Sequence, residues 1–265
     1  ERREQAMNMS FYAGAVGAYQ QQQRMNVQAN NIANVNNYGY KAERATFHHL
    51  MYGNVTGIDQ EQLPKGTGTK MVKASVDYET GGYVETGFTF DFAITGDGFF
   101  ALYDLVSQEV SFSRDGAFIM ARFEVEPDED AEPEIDPVTG EEIPPENTVE
   151  WRLSDNEGRC VLDSTGNFIV VDPENREADL DIGVFDYRIY DGMQHADSGR
   201  FSPTDKNGDL YLGTGKVIRG YLERSNVDLA QELVKVIESQ RAYSYALKMV
   251  QTSDEIEQTI NGLPN

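Results

Sequence analysis

Residues 220–265 read GYLERSNVDLAQELVKVIESQRAYSYALKMVQTSDEIEQTINGLPN, and within them Leu229, Leu233, Val236, Gln240, Tyr243, Leu247 and Val250 recur at alternating steps of four and three. That spacing places all of them along one seam of a helix, as in a coiled coil. After a one-residue shift the seam continues through Ser253, Ile256, Ile260 and Leu263. Ser225, with Asp228 three residues on, supplies an N-cap and an acidic first turn, and Gly262 with Pro264 supplies the stop. The predicted helix has roughly 36 residues and, at about 1.5 Å per residue, a length of roughly 54 Å. Helices of compact domains are usually much shorter, about 10–14 residues.

The N-terminus repeats the pattern. Phe11, Ala15, Ala18, Gln22, Met25, Ala29 and Ile32 follow the same alternating step, and the run then meets Asn34, Asn36, Asn37 and Gly39, residues that tolerate left-handed backbone and stop helices. Residues 1–6 precede Met7 and Met9, both of which suit a start, and are set aside. Gln22 and Gln240 interrupt otherwise apolar seams, as expected where a polar residue specifies register at a cost in stability. The bland reading of both seams is a pair of core-facing helices within one globule. Their segregation to the chain ends, and the length of the second, favour helices that pack on each other and on neighbouring copies.

Between the ends, Phe90–Ile94, Phe99–Tyr103, Val161–Leu162, Phe168–Val171 and Val184–Tyr190 are aromatic and β-branched, hence strands. Turn signals separate them at Gly81-Gly82, Gly96–Gly98, Asp115-Gly116, Asp155–Gly158 and Asp163–Asn167. The expected class is α+β: long N- and C-terminal helices forming a coiled-coil-like helical domain, with a central antiparallel β-rich domain. The expected division is 1–47 for the first helix and its turn, 48–219 for the β-rich domain, and 220–265 for the second helix. Residues 124–150 carry twelve acidic residues, no basic ones and five of the nine prolines. Such a composition buries too little apolar surface to order itself and reads as an exposed insertion. Without it the net charge of −23 would be −11.

Composition also excludes function classes. A net charge of −23 argues against nucleic acid as a partner, because phosphate recognition draws on Lys and Arg. No run approaches the roughly 20 apolar residues that span a bilayer, and ERREQAMNMS lacks the apolar core of a cleaved signal peptide, so any export is expected to use another route. Cys160 stands alone, so an internal disulfide is impossible and a small buried hydrophobe is its ordinary reading. Carboxylates abound, but no spacing nominates a catalytic pair. His48-His49 point apart in regular structure, short of the three ligands that a catalytic zinc needs. In Asp205-Lys206-Asn207-Gly208-Asp209 the glycine falls at the fourth position and Lys216 stands where a calcium loop has its closing Glu. Gly96-Asp97-Gly98-Phe99-Phe100 lacks the third glycine and the helix of a dinucleotide site. No catalytic residue, metal ligand or cofactor is therefore expected.

Three blocks resemble flagellar axial proteins, closest to the basal-body rod family. Asn30-Asn31-Ile32-Ala33-Asn34-Val35-Asn36-Asn37-Tyr38-Gly39-Tyr40-Lys41 resembles the ANNIAN and GYK signature that follows the N-terminal helix, departing at Asn37-Tyr38. Glu85-Thr86-Gly87 through Phe92-Ala93-Ile94-Thr95-Gly96-Asp97-Gly98-Phe99-Phe100 to Arg114-Asp115-Gly116-Ala117-Phe118 is similar to the family's β core, with Phe92 in place of a more usual residue. The third block runs from Gly220 through Gln240-Arg241-Ala242-Tyr243 to Glu255. The resemblance implies a subunit exported unfolded by the flagellar type III apparatus. It further implies a helical homo-oligomer in a tube, terminal helices innermost, with neighbouring rod and hook subunits as partners. On this reading Phe11, Met25, Ile32, Leu229, Leu233, Val236, Tyr243, Leu247 and Val250 are seam residues of the assembly interface, while Asn30, Asn31, Asn34, Gly39, Gln240 and Arg241 shape the turn and polar contacts around them. The alternatives are another axial position, proximal rod or hook-type, and, from a different class, a secreted β-domain enzyme or glycan-binding module.

Overall fold

The computed structural model describes residues 2–49, 53–56, 62–65, 69–125, 134–135, 142–143, 148–196 and 199–262. They form two compact units, one of residues 1–36, 41–79 and 225–265, the other of residues 37–40 and 80–224. The strand pair Glu43–His49 and Thr69–Val76 is thus grouped with the helices, so the units divide near residues 79 and 225 rather than at 48 and 220.

The first unit is built on helix α1, Arg2–Ala33, and helix α2, Leu229–Asn261. Helix α2 has 33 residues, close to the length that the seam predicts. Its N-cap is Asp228 rather than Ser225: the carboxylate accepts from the backbone N–H of Ala230 (2.9 Å) and Gln231 (3.2 Å). An N-cap acceptor belongs within reach of N2 and N3, where Asp228 sits and Ser225 does not. At the other end Gly262 caps α2 and donates to Gln258 O and Ile260 O, while Leu263 and Pro264 lie outside the described residues. Helix α1 ends by a different device from the expected left-handed asparagine. Asn34 Nδ2 donates to Asn30 O at 2.8 Å, occupying one of the carbonyls that a helix end leaves without a partner. Among the described residues only Gln108 and glycines, Gly39 included, have positive φ.

The second unit is an antiparallel β structure around Phe99–Tyr103. This strand pairs along one edge with Val110–Ser113, and its other edge is shared by Cys160–Val161 and Val184–Tyr187. Its first four residues are all buried because both faces are covered. Phe100 and Leu102 enter a cluster with Ile94, Phe118, Leu153 and Val161. Phe99 meets Phe201 (ring centroids 5.5 Å apart) and Tyr190 (5.7 Å). Cys160 is buried, and burial pushes its thiol pKa up. The expected strand Phe168–Val171 contributes only isolated bridges, Leu162 to Phe168 and Arg152 to Val170. The expected turns at Asp155 and Asp163 form, each with the carboxylate accepting from backbone N–H groups two and four residues on.

The described parts of the acidic insertion lie in paired strands. Ile119–Val125 pairs with Thr148–Ser154 over seven residues, and Glu134–Ile135 pairs with Glu142–Ile143. The expectation that all of 124–150 lacks order therefore fails at Glu124, Val125 and Thr148–Glu150, and at Glu134–Ile135 and Glu142–Ile143, where cross-strand pairing supplies what composition does not. Residues 126–133, 136–141 and 144–147 lie outside the described residues.

Asp115, partly buried in the second unit, has a carboxyl whose ionisation burial opposes. Burial pushes its carboxyl pKa from 3.8 up to about 6, opposed by a hydrogen bond from Ala117 N and reinforced by the charges of Asp91 and Asp155. Between pH 4 and 6 the folded chain thus holds a proton that the unfolded chain has lost, and stability falls as pH rises through that window. Asp115→Asn should flatten this dependence and stabilise the chain above pH 6 by about 1–3 kcal/mol. Urea unfolding of both chains at pH 4.5 and 7.5 checks it; an equal effect at both pH values would contradict the assignment.

Candidate assembly interface

Helices α1 and α2 pack antiparallel through small and polar side chains. A Cβ added at Gly14 would lie 3.0 Å from Val250 Cγ2 and 3.2 Å from Ala246 O, and one at Gly17 would lie 3.8 Å from Ala246 Cβ. The buried positions of α2 are Glu232, Ser239 and Ser253, spaced by multiples of seven residues, with Ala246 half-buried in the same row. Gly14, Ala18 and Gln28 are buried on α1. Ser239 Oγ donates to Lys235 O (2.8 Å). The expected register glutamines, Gln22 and Gln240, are both exposed. One residue of shift rotates a helix by about 100°, and the polar groups turned inward belong to Gln21 and Gln28 instead, whose Oε1 atoms are buried without a partner.

The predicted seam residues divide into two sets. Met25, Ile32, Val236, Tyr243 and Val250 are half-buried, whereas Phe11, Leu229, Leu233 and Leu247 are exposed. They belong to a larger outward set that the spacing alone did not single out. Tyr12 (65% exposed), Val16 and Tyr19 (60%) line the face of α1 turned away from α2, and Val234, Ile237, Tyr245, Met249, Ile256 and Ile260 are exposed on α2. A monomeric protein rarely leaves a contiguous apolar surface of this kind uncovered.

The asparagines act on backbone. Asn31, buried, donates through Nδ2 to Glu43 O (2.8 Å) and accepts through Oδ1 from Glu43 N (2.9 Å), pairing with the strand edge as a neighbouring strand would. Asn226 accepts from Ala42 N (2.7 Å) and donates to Asp77 O (2.8 Å) and Glu79 O (3.1 Å), so it ties both strands together at the end of the pair where Glu43 faces Val76. Asn30 is exposed and offers its carbonyl to Asn34. Asn226 lies in the third sequence block but was not singled out, since nothing in spacing separates a hub asparagine from a turn asparagine. A small cavity of about 170 Å³ between α1, Glu43–Ala45 and α2 is lined by Arg24, Val27, Gln28, Glu232 and Lys235 among others. Clefts for small-molecule ligands run to roughly 300–1,000 Å³.

Within the second unit the three sequence blocks meet at a buried ion pair. Arg114 Nη1 donates to Glu223 Oε2 at 3.2 Å, with side chains 3% and 0% exposed. Arg114 Nη2 also donates to Gly96 O (2.7 Å), and Glu223 Oε1 accepts from Gly81 N (2.9 Å). Gly39 N donates to Glu223 O (2.8 Å). Gly39 has φ +66°, and a Cβ there would stand 2.2 Å from Asp115 N, so no other residue fits. Among the described residues no group of three His, Cys, Asp or Glu is placed to hold a metal, and no helix is long and apolar enough to cross a membrane.

Residues 11–41 match the family model described as flagella basal body rod protein, and residues 218–263 match that described as flagellar basal body rod FlgEFG protein C-terminal. The chain is 30% identical to the flagellar basal-body rod protein FlgG of Buchnera aphidicola subsp. Schizaphis graminum, over 96% of this chain and 99% of the relative. The chain belongs to the flagellar basal-body rod protein family. FlgG of Bacillus subtilis is 29% identical over 97% of this chain and 99% of its own length. The flagellar hook protein FlgE of Borreliella burgdorferi is 33% identical over 120 residues, 42% of this chain and 27% of the hook protein. Both rod-family models fall on the segments described above: α1 with its asparagine turn, and α2 with Glu223 and Asn226.

Two substitutions test this framework. Glu223→Ala leaves Arg114 buried and unpaired and should cost about 3–5 kcal/mol, read by urea unfolding; a loss below 1 kcal/mol would mean that water replaces the carboxylate. Gly14→Leu should separate the helices and cost about 1–3 kcal/mol despite the better helix propensity of leucine. Thermal melts followed at 222 nm check it, and an unchanged or raised midpoint would refute the close approach.

Proposed function

We propose that this chain is a structural, non-enzymatic subunit of the flagellar basal-body rod that polymerises through its terminal helices into a tubular shaft. The observation that carries the proposal is the apolar surface left outside the helix pair, at Phe11, Tyr12, Val16 and Tyr19 on α1 and at Leu229, Leu233 and Leu247 on α2. The inward seam is small and polar and contributes little burial, so the helices gain most of their apolar burial on neighbouring copies, at about 25 cal/mol per Å². Helix ordering and polymerisation are therefore coupled, with a coiled-coil-like pairing in each copy. A heterologous contact that does not close into a ring generates a filament. Met25, Ile32, Val236, Tyr243 and Val250, half-buried, border the small inward seam, while Gln240 and Arg241 supply polar contacts at its rim.

The partners are further copies of the chain, adjoining rod and hook subunits, and the type III export apparatus, which carries the chain to the basal body. The names of the relatives support the rod position, and the match of residues 218–263 to the FlgEFG C-terminal model supports a C-terminal architecture of that kind. Charge supports segregation of roles. The helical unit carries eleven basic and thirteen acidic residues, whereas the β-rich unit carries eleven and thirty-two, so the unit assigned to assembly is nearly neutral.

Sedimentation velocity across a concentration series, with circular dichroism, tests the proposal on the full chain and on a Leu229→Asp, Leu233→Asp variant. Growth into large species by the full chain, and a variant that stays small, is the expected result. A full chain that remains monomeric at every concentration with both helices ordered would defeat it.

A further inference from the structure

The apolar surface of α2 changes sides along the helix. At about 100° per residue, Leu229, Leu233 and Ile237 lie on one flank, and Tyr245, Met249 and Ile256 lie on another whose centre is about 140° away. All six are exposed. The inward row, Glu232, Ser239, Ala246 and Ser253, runs between the two flanks and faces α1. Each flank is polar where the other is apolar. Beyond Ile237 the first flank presents exposed Gln240, Ser244, Gln251 and Gln258, and before Tyr245 the second presents exposed Gln231, Glu238 and Arg241. Leu247 and Val234 are single apolar residues on the opposite flanks.

A helix that binds one flat neighbour would carry its apolar stripe along one side throughout. Two half-length stripes on different flanks call for two neighbours, each engaging half of the helix. The midpoints of the stripes, near residues 233 and 250, are 17 residues apart in the sequence, or about 25 Å along the axis. Two parallel copies standing level would place the apolar half of one flank against the polar half of the other. Sliding one copy by about 25 Å brings apolar against apolar. We infer that the Leu229/Leu233/Ile237 flank of one copy packs against the Tyr245/Met249/Ile256 flank of a second, parallel copy displaced by about 25 Å along α2. The inference rests on the polymerisation reading and deepens it. A symmetric contact of one flank with its own counterpart would close a dimer and leave the other flank bare. The staggered contact instead uses both flanks, does not close, and continues in both directions.

The test is cysteine crosslinking in the full-length chain, with buried Cys160 left in place. Leu233→Cys plus Met249→Cys puts one thiol on each flank, and Ile237→Cys plus Ile256→Cys is a second pair in case the first disturbs folding. Within one α2 each pair is too far apart to bridge. Oxidation of the assembled chain should give a ladder beyond dimer on a denaturing gel for the double variants, and no dimer for any of the four single variants. A dimer from a single variant would establish a symmetric contact and overturn the inference while leaving polymerisation intact. Polymers that pellet like the unmodified chain, yet give no ladder with either pair, would also overturn it and assign the flanks to other subunits. An unmodified chain that stays monomeric would defeat the polymerisation reading, and this contact with it.

Discussion

The close approach of α1 and α2 at Gly14 and Ala246 is the constraint on which the helical unit depends. A Cβ at Gly14 would stand 3.0–3.2 Å from the facing helix, tighter than ordinary contact, and the buried positions along the seam are mostly small or polar: glycine, alanine, serine, glutamine and glutamate. Small residues bring backbones together but remove little apolar area from water. The larger side chains, tyrosines and leucines in particular, are turned to the outer faces. A helix pair built in this way is stable in proportion to what covers it, which suits a subunit whose final environment is an assembly.

The β-rich unit is organised by a different principle. Arg114 and Glu223 are far apart in sequence, and their pairing joins segments from every sequence block quoted above: the Gly39 turn, the Gly96 corner, the Arg114-Asp115-Gly116 turn and the strand that leads to α2. A buried pair of this kind is weak evidence of net stability, because desolvation offsets much of the attraction. Its value lies in specificity. With Arg114 hydrogen-bonded to Gly96 O and Glu223 to Gly81 N, a different register of these turns would leave charges buried and unmatched. Asparagines do comparable work in the helical unit, where Asn31 and Asn226 satisfy strand-edge backbone groups that no further strand among the described residues reaches.

Much of this was legible in the sequence, and the misses share a cause. The two long helices, the strand Phe99–Tyr103 and the Asx turns at Asp155 and Asp163 were visible because each rests on local chemistry: periodicity, β-branched and aromatic composition, or a carboxylate beside its own backbone. The N-cap was misplaced by three residues because Ser225 and Asp228 are both good caps, and only the direction in which the chain enters the helix distinguishes them. At Gln22 and Gln240 the inward face lies about one residue, roughly 100°, away from the expected seam, whereas Val250 faces Gly14 and Ala18 is buried. A seam chosen by size gathers the large apolar residues, whereas the face that actually packs inside the chain gathers the small ones.

The sequence by itself determined the helices, the β character of the middle and, through the Asn30–Lys41 and Gly220–Glu255 blocks, the family, because these depend on residue types at fixed short spacings. The tertiary structure decided which face of each helix is inward, which asparagines bond to strand edges, and that Arg114 and Glu223 form a pair. These outcomes depend on groups brought together from distant parts of the chain. A side chain's neighbours across space, and hence whether its polarity is a cost or a contact, are not encoded in its neighbours along the chain.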